Sequence, residues 1–262
     1  MILTGRACMS SDGPESNQHH RREFHTTHWS IVRAAGGQGD HVGADPRAAL
    51  ETLCETYWYP LYSFVRRQGN EAAEAADITQ GFFGELLRRE DLARLQPEKG
   101  RFRSFLLASL RHYMSNLRDR ERAQKRGGND SGGKHVTFSL DVANAEQRYR
   151  NEPWHNDRPE AGFMREWALT VLAAATEAVR SEFRQRGEED LFNVLHPMMA
   201  REGQGTEQAA AQTGKTPGAI KIAVHRLRQR FHDQLRLIIA ETVSGEDEID
   251  AEIADLFEAL RG

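Results

Sequence analysis

Four side chains give one stretch of this chain a regular polar and basic stripe. They are Arg111, Ser115, Arg118 and Arg122, spaced four, three and four residues apart. On an α-helix, which turns about 100° per residue, such positions share one face. A row of guanidinium groups on one face can bind the phosphates of a nucleic acid. The alternative is a solvated face, which is the usual role of a charged run.

The same stretch has an apolar side, which predicts how the stripe is held. Residues at helical spacing opposite the arginines are Phe102, Phe105, Leu106, Leu110, Tyr113 and Leu117. This pattern predicts an amphipathic helix that begins at Phe102, with its aromatic rings in the core rather than stacked on bases. Residues 101–126 carry eight bases against two acids, a net charge of +6. The excess of bases favours phosphate contact over simple solvation.

A second basic segment follows a different pattern. Thr206 to Thr213 is a short alanine-rich segment, Gly214-Lys215-Thr216 is a tight turn, and Pro217 suits the first position of a longer helix capped by Thr216. The pattern is typical of a helix-turn-helix, although an αα-hairpin with surface lysines would look similar. The predicted buried residues are Ile220, Val224, Leu227 and Phe231. The predicted outward residues are Gly218, Lys221, Ile222 and His225, flanked by Arg226, Arg228 and Arg230.

Composition limits the class of protein. The 262 residues carry a net charge of −4, but residues 246–262 alone hold seven acids against one base. The basic segments are therefore offset by an acidic end, and the local asymmetry matters more than the total. No run approaches the roughly 18 apolar residues of a membrane helix, and residues 1–25 have no apolar core of signal-peptide length. With Cys8 and Cys54 as the only cysteines, we expect a cytoplasmic protein with a disordered N-terminal tail over residues 1–25.

The residue types that usually carry catalysis or bind metals lack a suitable context. His19, His20, His25 and His28 lie in or near the expected tail, so we expect no metal site. Asp77 and Glu74 are better explained as surface acids, and no Ser-His-Asp, paired-carboxylate or phosphate-binding glycine motif has the required context. We therefore expect a protein that is not an enzyme and holds no cofactor.

Helical patterns dominate the chain, so we expect an all-α fold. Flexible and polar segments between Gly127 and Gly162 predict a long flexible linker between two small helical domains. The predicted organisation is a first domain over 26–126, a linker over 127–162, a helix-turn-helix domain over 163–243 and an acidic amphipathic C-terminal helix over 244–262.

The acidic end of the chain has its own apolar stripe. Its members are Ile249, Ile253, Leu256, Phe257 and Leu260. A disordered acidic tail would not need this period, so we expect a docked helix. It either completes the core of the second domain or brings its acids near the basic recognition helix, where they would compete with DNA.

Two separated stretches resemble one family. "AADITQGFFGELL" and "GRFRSFLLASLRHYMSNLRDRERAQKR" look like the second conserved region of bacterial sigma factors, closest to the extracytoplasmic-function group. "EQAAAQTGKTPGAIKIAVHRLRQRF" is similar to the fourth region. The acidic C-terminal helix lies outside that two-domain pattern, and helix 206–213 has alanines where the family often has isoleucine.

The resemblance implies a set of roles. The helix of the first stretch docks on the clamp of core RNA polymerase, through Asp77, Gln80, Phe83 and Leu87. The loop before Phe102 and the helix after it bind and melt the −10 region of promoter DNA, through Lys99, Arg101, Arg111, Ser115, Asn116, Arg118 and Arg122. The fourth region binds the −35 element, through Thr216, Gly218, Lys221, Ile222, His225, Arg226 and Arg228. The implied partners are core polymerase and promoter DNA.

The resemblance leaves open an anti-sigma factor or another regulator as a further partner, and a monomer is expected when the chain is free. The main alternative is a free-standing helix-turn-helix regulator that acts without polymerase. It explains residues 206–232 but not the helix that carries Asp77 and Gln80. A nucleic-acid-processing enzyme is a more distant alternative, because no catalytic constellation supports it.

Overall fold

A computed structural model describes residues 46–88, 101–124, 142–153, 158–200 and 205–261. Within these ranges every regular element is helical and there is no strand, as expected for an all-α fold. None of the described helices is long and apolar enough to cross a lipid bilayer. The α-helices are α1 (Pro46–Arg67), α2 (Ala72–Arg88), α3 (Phe102–Gln124), α4 (Val142–Asn151), α5 (Pro159–Gln185), α6 (Glu189–Leu195), α7 (Thr206–Thr213), α8 (Pro217–Ala240) and α9 (Ile249–Arg261).

The helix boundaries follow the local signals in the sequence. Helices α1, α5 and α8 each begin at a proline, whose fixed φ suits the first helical position and whose missing N–H is not needed there. The chain turns after α1 at Gly69, which has a φ of 91°. Short 3-10 turns at His196–Met198 and Glu246–Glu248 follow α6 and precede α9.

The first hydrophobic cluster joins both ends of the described chain. Its centre is formed by α1, α2 and α3, with Phe64, Phe83 and Leu106 fully buried. The first half of α5, the last turns of α8 and helix α9 belong to the same cluster, through residues that include Trp167 and Leu256. Helix α9 is therefore docked, as its apolar stripe predicts. It packs with residues of the predicted first domain as well as the second.

A second cluster surrounds the start of α8. It combines the last turns of α5 with α6 and α7, and its buried side chains include Phe183, Phe192 and Val224. Because α5 and α8 contribute to both clusters, the predicted boundary at residue 163 falls inside a helix that packs on α1. The expectation of two separately packed domains is not confirmed.

The predicted linker over 127–162 contains ordered structure. Residues 127–141 and 154–157 lie outside the described residues. Helix α4 has its Ala145 buried in the first cluster, and the first residues of α5 also lie within the predicted linker. A flexible tether is therefore the wrong description for residues 142–153 and 158–162. The polar composition misled the prediction because the acids of this segment have specific arginine partners.

Two of these acids, one in α4 and one directly after it, bind this segment to α1. Glu146 accepts hydrogen bonds from Arg66 Nε at 2.9 Å and from the Tyr62 hydroxyl at 2.7 Å. Glu152 is buried and accepts from Arg67 and from the Tyr59 hydroxyl. Removing one member of such a buried pair leaves an uncompensated charge, which typically costs about 3–5 kcal/mol. These contacts make α4 part of the packed structure.

Candidate nucleic-acid interface

The basic stripe on α3 is exposed. Arg111, Ser115, Arg118 and Arg122 all lie at the surface, and the Arg122 side chain is 69% exposed. Asn116, beside the stripe, is half-buried. The amphipathic pattern therefore placed the polar side of α3 correctly.

The buried side of α3 is wider than predicted. Phe102, Leu106 and Leu110 are fully buried, as expected. Phe105, Tyr113 and Leu117 are only half-buried, while Leu107 and Met114 lie in the core. The centre of the buried face therefore lies nearer to Met114 than the sequence pattern predicts. Tyr113 also fixes the approach of α2, because a Cβ atom at Gly81 would overlap the Tyr113 hydroxyl oxygen.

Each arginine of the stripe has a neighbour. Arg111 donates a hydrogen bond to Glu160 in the first turn of α5, and its guanidinium lies 5.6 Å from the centre of the Phe64 ring. Arg118 Nη2 lies 3.4 Å from Gln68 Oε1. Arg122 Nη1 lies 3.6 Å from Asp119 Oδ1 on the same helix. Exposed contacts of this kind contribute about 0–1 kcal/mol, so they can be exchanged for other partners.

Glu160 is held in its charged form. A hydrogen bond from its own backbone N–H is the largest influence on the pKa of Glu160. Together with the Arg111 guanidinium, that bond outweighs partial burial and lowers the pKa below its ordinary value. The carboxylate is thus an anionic oxygen partner for Arg111 at neutral pH.

The start of α3 carries a second, more buried ionic cluster. Arg103 donates to both carboxylate oxygens of Glu252 at 2.6 and 2.8 Å, and to Asp255 at 3.0 Å. Its guanidinium lies 4.8 Å from the centre of the Trp167 ring. The Glu252 side chain is fully buried. Sequence reasoning missed Arg103, because only a contact between positions 149 residues apart reveals it.

Arg101, predicted to contact the −10 region, belongs to the same cluster. Its Nε lies 2.8 Å from Glu252 Oε2, and it also pairs with Asp255. The Arg101 side chain remains 28% exposed, so it is the accessible arginine of the cluster. Lys99 lies outside the described residues.

This cluster shows that two acids of the C-terminal helix lie away from the basic recognition helix, which was one of the two locations that the sequence left open for them. Glu252 and Asp255 instead bind the first residues of α3. Another acid of α9, Asp250, pairs with Arg236, which lies in the second half of α8, away from its start. The apolar stripe predicted docking, but it could not predict which basic segment the acids would meet.

The turn between α7 and α8 forms as the sequence predicts. Gly214 has a φ of 66°, a left-handed conformation that glycine adopts without strain. Thr216 caps α8, and its Oγ1 accepts a hydrogen bond from the Ala219 N–H at 3.2 Å. The cap and Pro217 together fix where α8 begins.

The start of α8 presents an outward face of mixed chemistry. The exposed residues on it are Thr216, Gly218, Lys221, Ile222, His225 and Arg226. Ile222 is 56% exposed, the largest fraction among the large apolar side chains that the structure describes. The opposite face buries Ile220, Val224 and Leu227 in the second cluster, as predicted. The outward residues are therefore held on a rigid element that projects them into solvent.

Arg228 departs from its predicted position on this face. It is half-buried, and its guanidinium donates to the carbonyl oxygens of Met199 and Met198 at 3.1 and 3.2 Å. These bonds satisfy carbonyl groups at the end of the 3-10 turn after α6. The position faces α6 rather than solvent, so Arg228 is a structural residue. Arg230 likewise lies over the Phe183 ring, 5.3 Å from its centre.

The predicted polymerase-docking residues on α2 separate into two groups. Asp77 is exposed and Gln80 is half-buried. Phe83 is fully buried, with its ring 5.8 Å from that of Phe82. Phe83 was expected to be an aromatic anchor for a partner protein. Its side chain is instead buried in the core, so it cannot contact a partner. Leu87 lies in the last turn of α2, and its side chain is outside the described residues.

The described residues contain no group of His, Cys, Asp or Glu side chains that could hold a metal ion.

The candidate interface consists of two basic surfaces: the α3 stripe with Arg101, and the outward face of α8. Comparisons with protein-family models, with curated proteins and with solved structures found no match to this chain.

Proposed function

We propose that this chain is a sigma factor that binds core RNA polymerase and directs it to promoter DNA. The observation that carries the proposal is the pair of exposed polar and basic helix faces, on α3 and on the start of α8, each backed by a buried apolar face. Both faces coincide with the two stretches that resemble sigma-factor regions. A single-site DNA-binding protein would need only one of them.

The face of α8 suits sequence recognition in the major groove. Lys221 can donate hydrogen bonds to guanine, and His225 and Arg226 extend the polar surface along the same helix. Ile222 supplies an exposed apolar contact of the kind that packs against a thymine methyl group. Gly218 adds no side chain near the helix start, which allows the backbone to approach DNA closely. The face therefore combines base contacts with phosphate contacts.

The face of α3 suits a different role, since arginine dominates it. Arg111, Arg118 and Arg122 are spaced to follow a phosphate backbone, while the half-buried Asn116 beside them carries an amide that can bond a base edge. In the proposed function this face binds the −10 region where the strands separate. Extruding a base costs a few kcal/mol, which phosphate contacts by these arginines would offset.

Contact with polymerase is assigned to α2 in this proposal. Asp77 and Gln80 lie three residues apart on α2, so they share one helix face. The buried Phe83 cannot add an aromatic anchor to them. That burial favours the alternative, a free-standing helix-turn-helix regulator that binds DNA through α8 without polymerase.

Transcription in vitro tests the proposal against this alternative. The full chain is added to purified bacterial core polymerase with a pool of genomic fragments as template. Under the proposal, new transcripts start at defined positions that core polymerase alone does not use. A free regulator would bind some fragments without creating any new start position.

Two charge reversals on α2 make the test specific. Asp77→Arg should reduce co-purification with core polymerase and remove the new transcripts. Glu74→Arg introduces the same charge change at an exposed position on the same helix, outside the predicted docking set. Equal behaviour of the two variants, with transcription retained, would show that polymerase does not dock on Asp77.

A further inference from the structure

Acids from the C-terminal half of the chain bind two arginines of the proposed DNA-binding surface on α3. Arg101 pairs with Glu252 and Asp255 of α9. Arg111 pairs with Glu160 of α5. None of these acids is near its arginine in sequence, so folding brings them there. One contact is at Arg111 within α3, and the other is at Arg101, the residue that precedes α3.

The chemistry of these contacts matches what a nucleic acid would offer. Arginine binds carboxylate and phosphate oxygens with similar charge-assisted hydrogen bonds. A carboxylate placed on Arg101 or Arg111 therefore occupies donors that a phosphate would need. A DNA phosphate that binds either guanidinium must compete with the carboxylate for those donors.

Accessibility separates the exchangeable acids from the structural one. Glu252 is fully buried and is bound on both oxygens by Arg103, so it stays with the core. Glu160 is 49% exposed and faces Arg111, which is 47% exposed. Asp255 is 36% exposed and faces the half-buried Arg101, and it also accepts a hydrogen bond from the buried Arg103 at 3.0 Å. Exposed pairs are weak enough to be exchanged for another anion.

We propose that Asp255 and Glu160 compete with DNA phosphates for Arg101 and Arg111, so that in the free chain part of the α3 surface is covered by the chain's own acids. This inference rests on the proposed function, in which α3 binds DNA. The start of α8 differs, because among the described residues Lys221, His225 and Arg226 make no ion pair. The free chain then contacts DNA first through α8, and α3 follows when phosphates displace the two acids.

A matched set of variants tests this competition by DNA affinity. The probe is a fluorescent duplex of arbitrary sequence with a short unpaired bubble, because phosphate contacts do not depend on sequence. Binding to the full chain is followed by fluorescence anisotropy at low salt. Asp255→Ala combined with Glu160→Ala should tighten binding about tenfold, because Arg101 and Arg111 each lose a competing carboxylate. The gain should shrink as salt screens the charges.

The control removes the same charge from the same two helices. Glu258→Ala on α9 and Glu177→Ala on α5 delete exposed acids that do not contact α3. This control should bind the probe within about twofold of the unmodified chain, as expected for distant exposed charges under screening. An equal gain in both double variants would overturn the proposal, since net charge alone would then explain it.

A double-mutant cycle locates the effect. Glu160→Ala should tighten binding in the unmodified chain but not in an Arg111→Ala background, because the released donor is then missing. A gain that persists without Arg111, or no gain in either background, overturns the competition at this contact. If core polymerase makes new transcripts with the chain but the variants show no gain in DNA affinity, this inference is wrong and the sigma proposal stands. If the variants gain DNA affinity but no new transcripts appear, the sigma proposal is wrong and this inference stands.

Discussion

The basic surface of α3 and that of α8 were both predicted from sequence patterns, but they differ in what surrounds them. On α3, Arg101 and Arg111 are bound by acids from α9 and α5. On α8, the outward residues at the start of the helix are exposed, and in the described part of the chain no acid pairs with Lys221, His225 or Arg226. A basic helix face can thus be open or covered, and the difference depends on segments far away in sequence.

The largest effect is expected at the buried ionic cluster beneath α3. Arg103→Ala leaves the fully buried Glu252 without its bidentate partner. The free energy of unfolding should fall by about 3–5 kcal/mol, measured by urea denaturation. Arg122→Ala, an exposed change on the same helix, should stay within about 0.5 kcal/mol of the unmodified chain. Equal stability of the two variants would mean that the cluster does not anchor α9 to α3.

The next largest effect is expected on DNA recognition by α8. Lys221→Ala and His225→Ala should each weaken binding to a recognised upstream element by about 1–3 kcal/mol if the lost contact is a good base contact. Both residues are exposed, so unfolding temperature should not change. The measurement is a competition assay between promoter fragments and unrelated DNA. Unchanged preference in both variants would move recognition to other residues of the face.

A smaller effect is expected from the α3 stripe in the free chain. Changing Arg111, Arg118 and Arg122 together to alanine should reduce the slope of log affinity against log salt, because each phosphate contact contributes about 0.9 to that slope. The reduction should be larger in the complex with polymerase, where α3 is expected to meet DNA fully. A slope that is the same for variant and unmodified protein in both states would identify the stripe as a solvated surface.

The smallest effect is expected at the cap of α8. Thr216→Ala removes the acceptor for the Ala219 N–H and should lower the free energy of unfolding by about 1 kcal/mol. Thr216→Ser keeps a hydroxyl oxygen at the same position and should restore most of that loss. Stability that is equal in all three proteins would show that Pro217 alone fixes the start of the helix.

Local signals predicted the helices well, because caps and turns act between neighbouring residues. Gly214, Thr216 and Pro217 set the start of α8, and the structure has it where the sequence places it. The apolar period of α8 also predicted its buried side, although Phe231 is only half-buried. The period of α9 predicted the burial of Ile249 and Leu256, but Phe257 is 41% exposed. These features depend on the 3.6-residue repeat and on backbone hydrogen bonds, which are both readable from sequence.

Partners distant in sequence were not predictable in this way. Arg103, Arg228 and Phe83 look like surface or interface residues when only their own helices are considered. Their roles depend on Glu252, on the carbonyl groups after α6, and on the packing of Phe82 and its neighbours. The predicted linker failed for the same reason, since its acids Glu146 and Glu152 find arginines on α1.

A hydroxyl-radical footprint tests the central proposal of two DNA-binding faces most directly. The chain is bound with core polymerase to a promoter fragment recovered from the transcription experiment. We expect two separate protected segments, with the upstream one lost in a Lys221→Ala and His225→Ala variant and the downstream one weakened by the three arginine changes on α3. A single protected segment, unchanged by polymerase and lost only with the α8 variant, would contradict the proposal and identify a free-standing regulator.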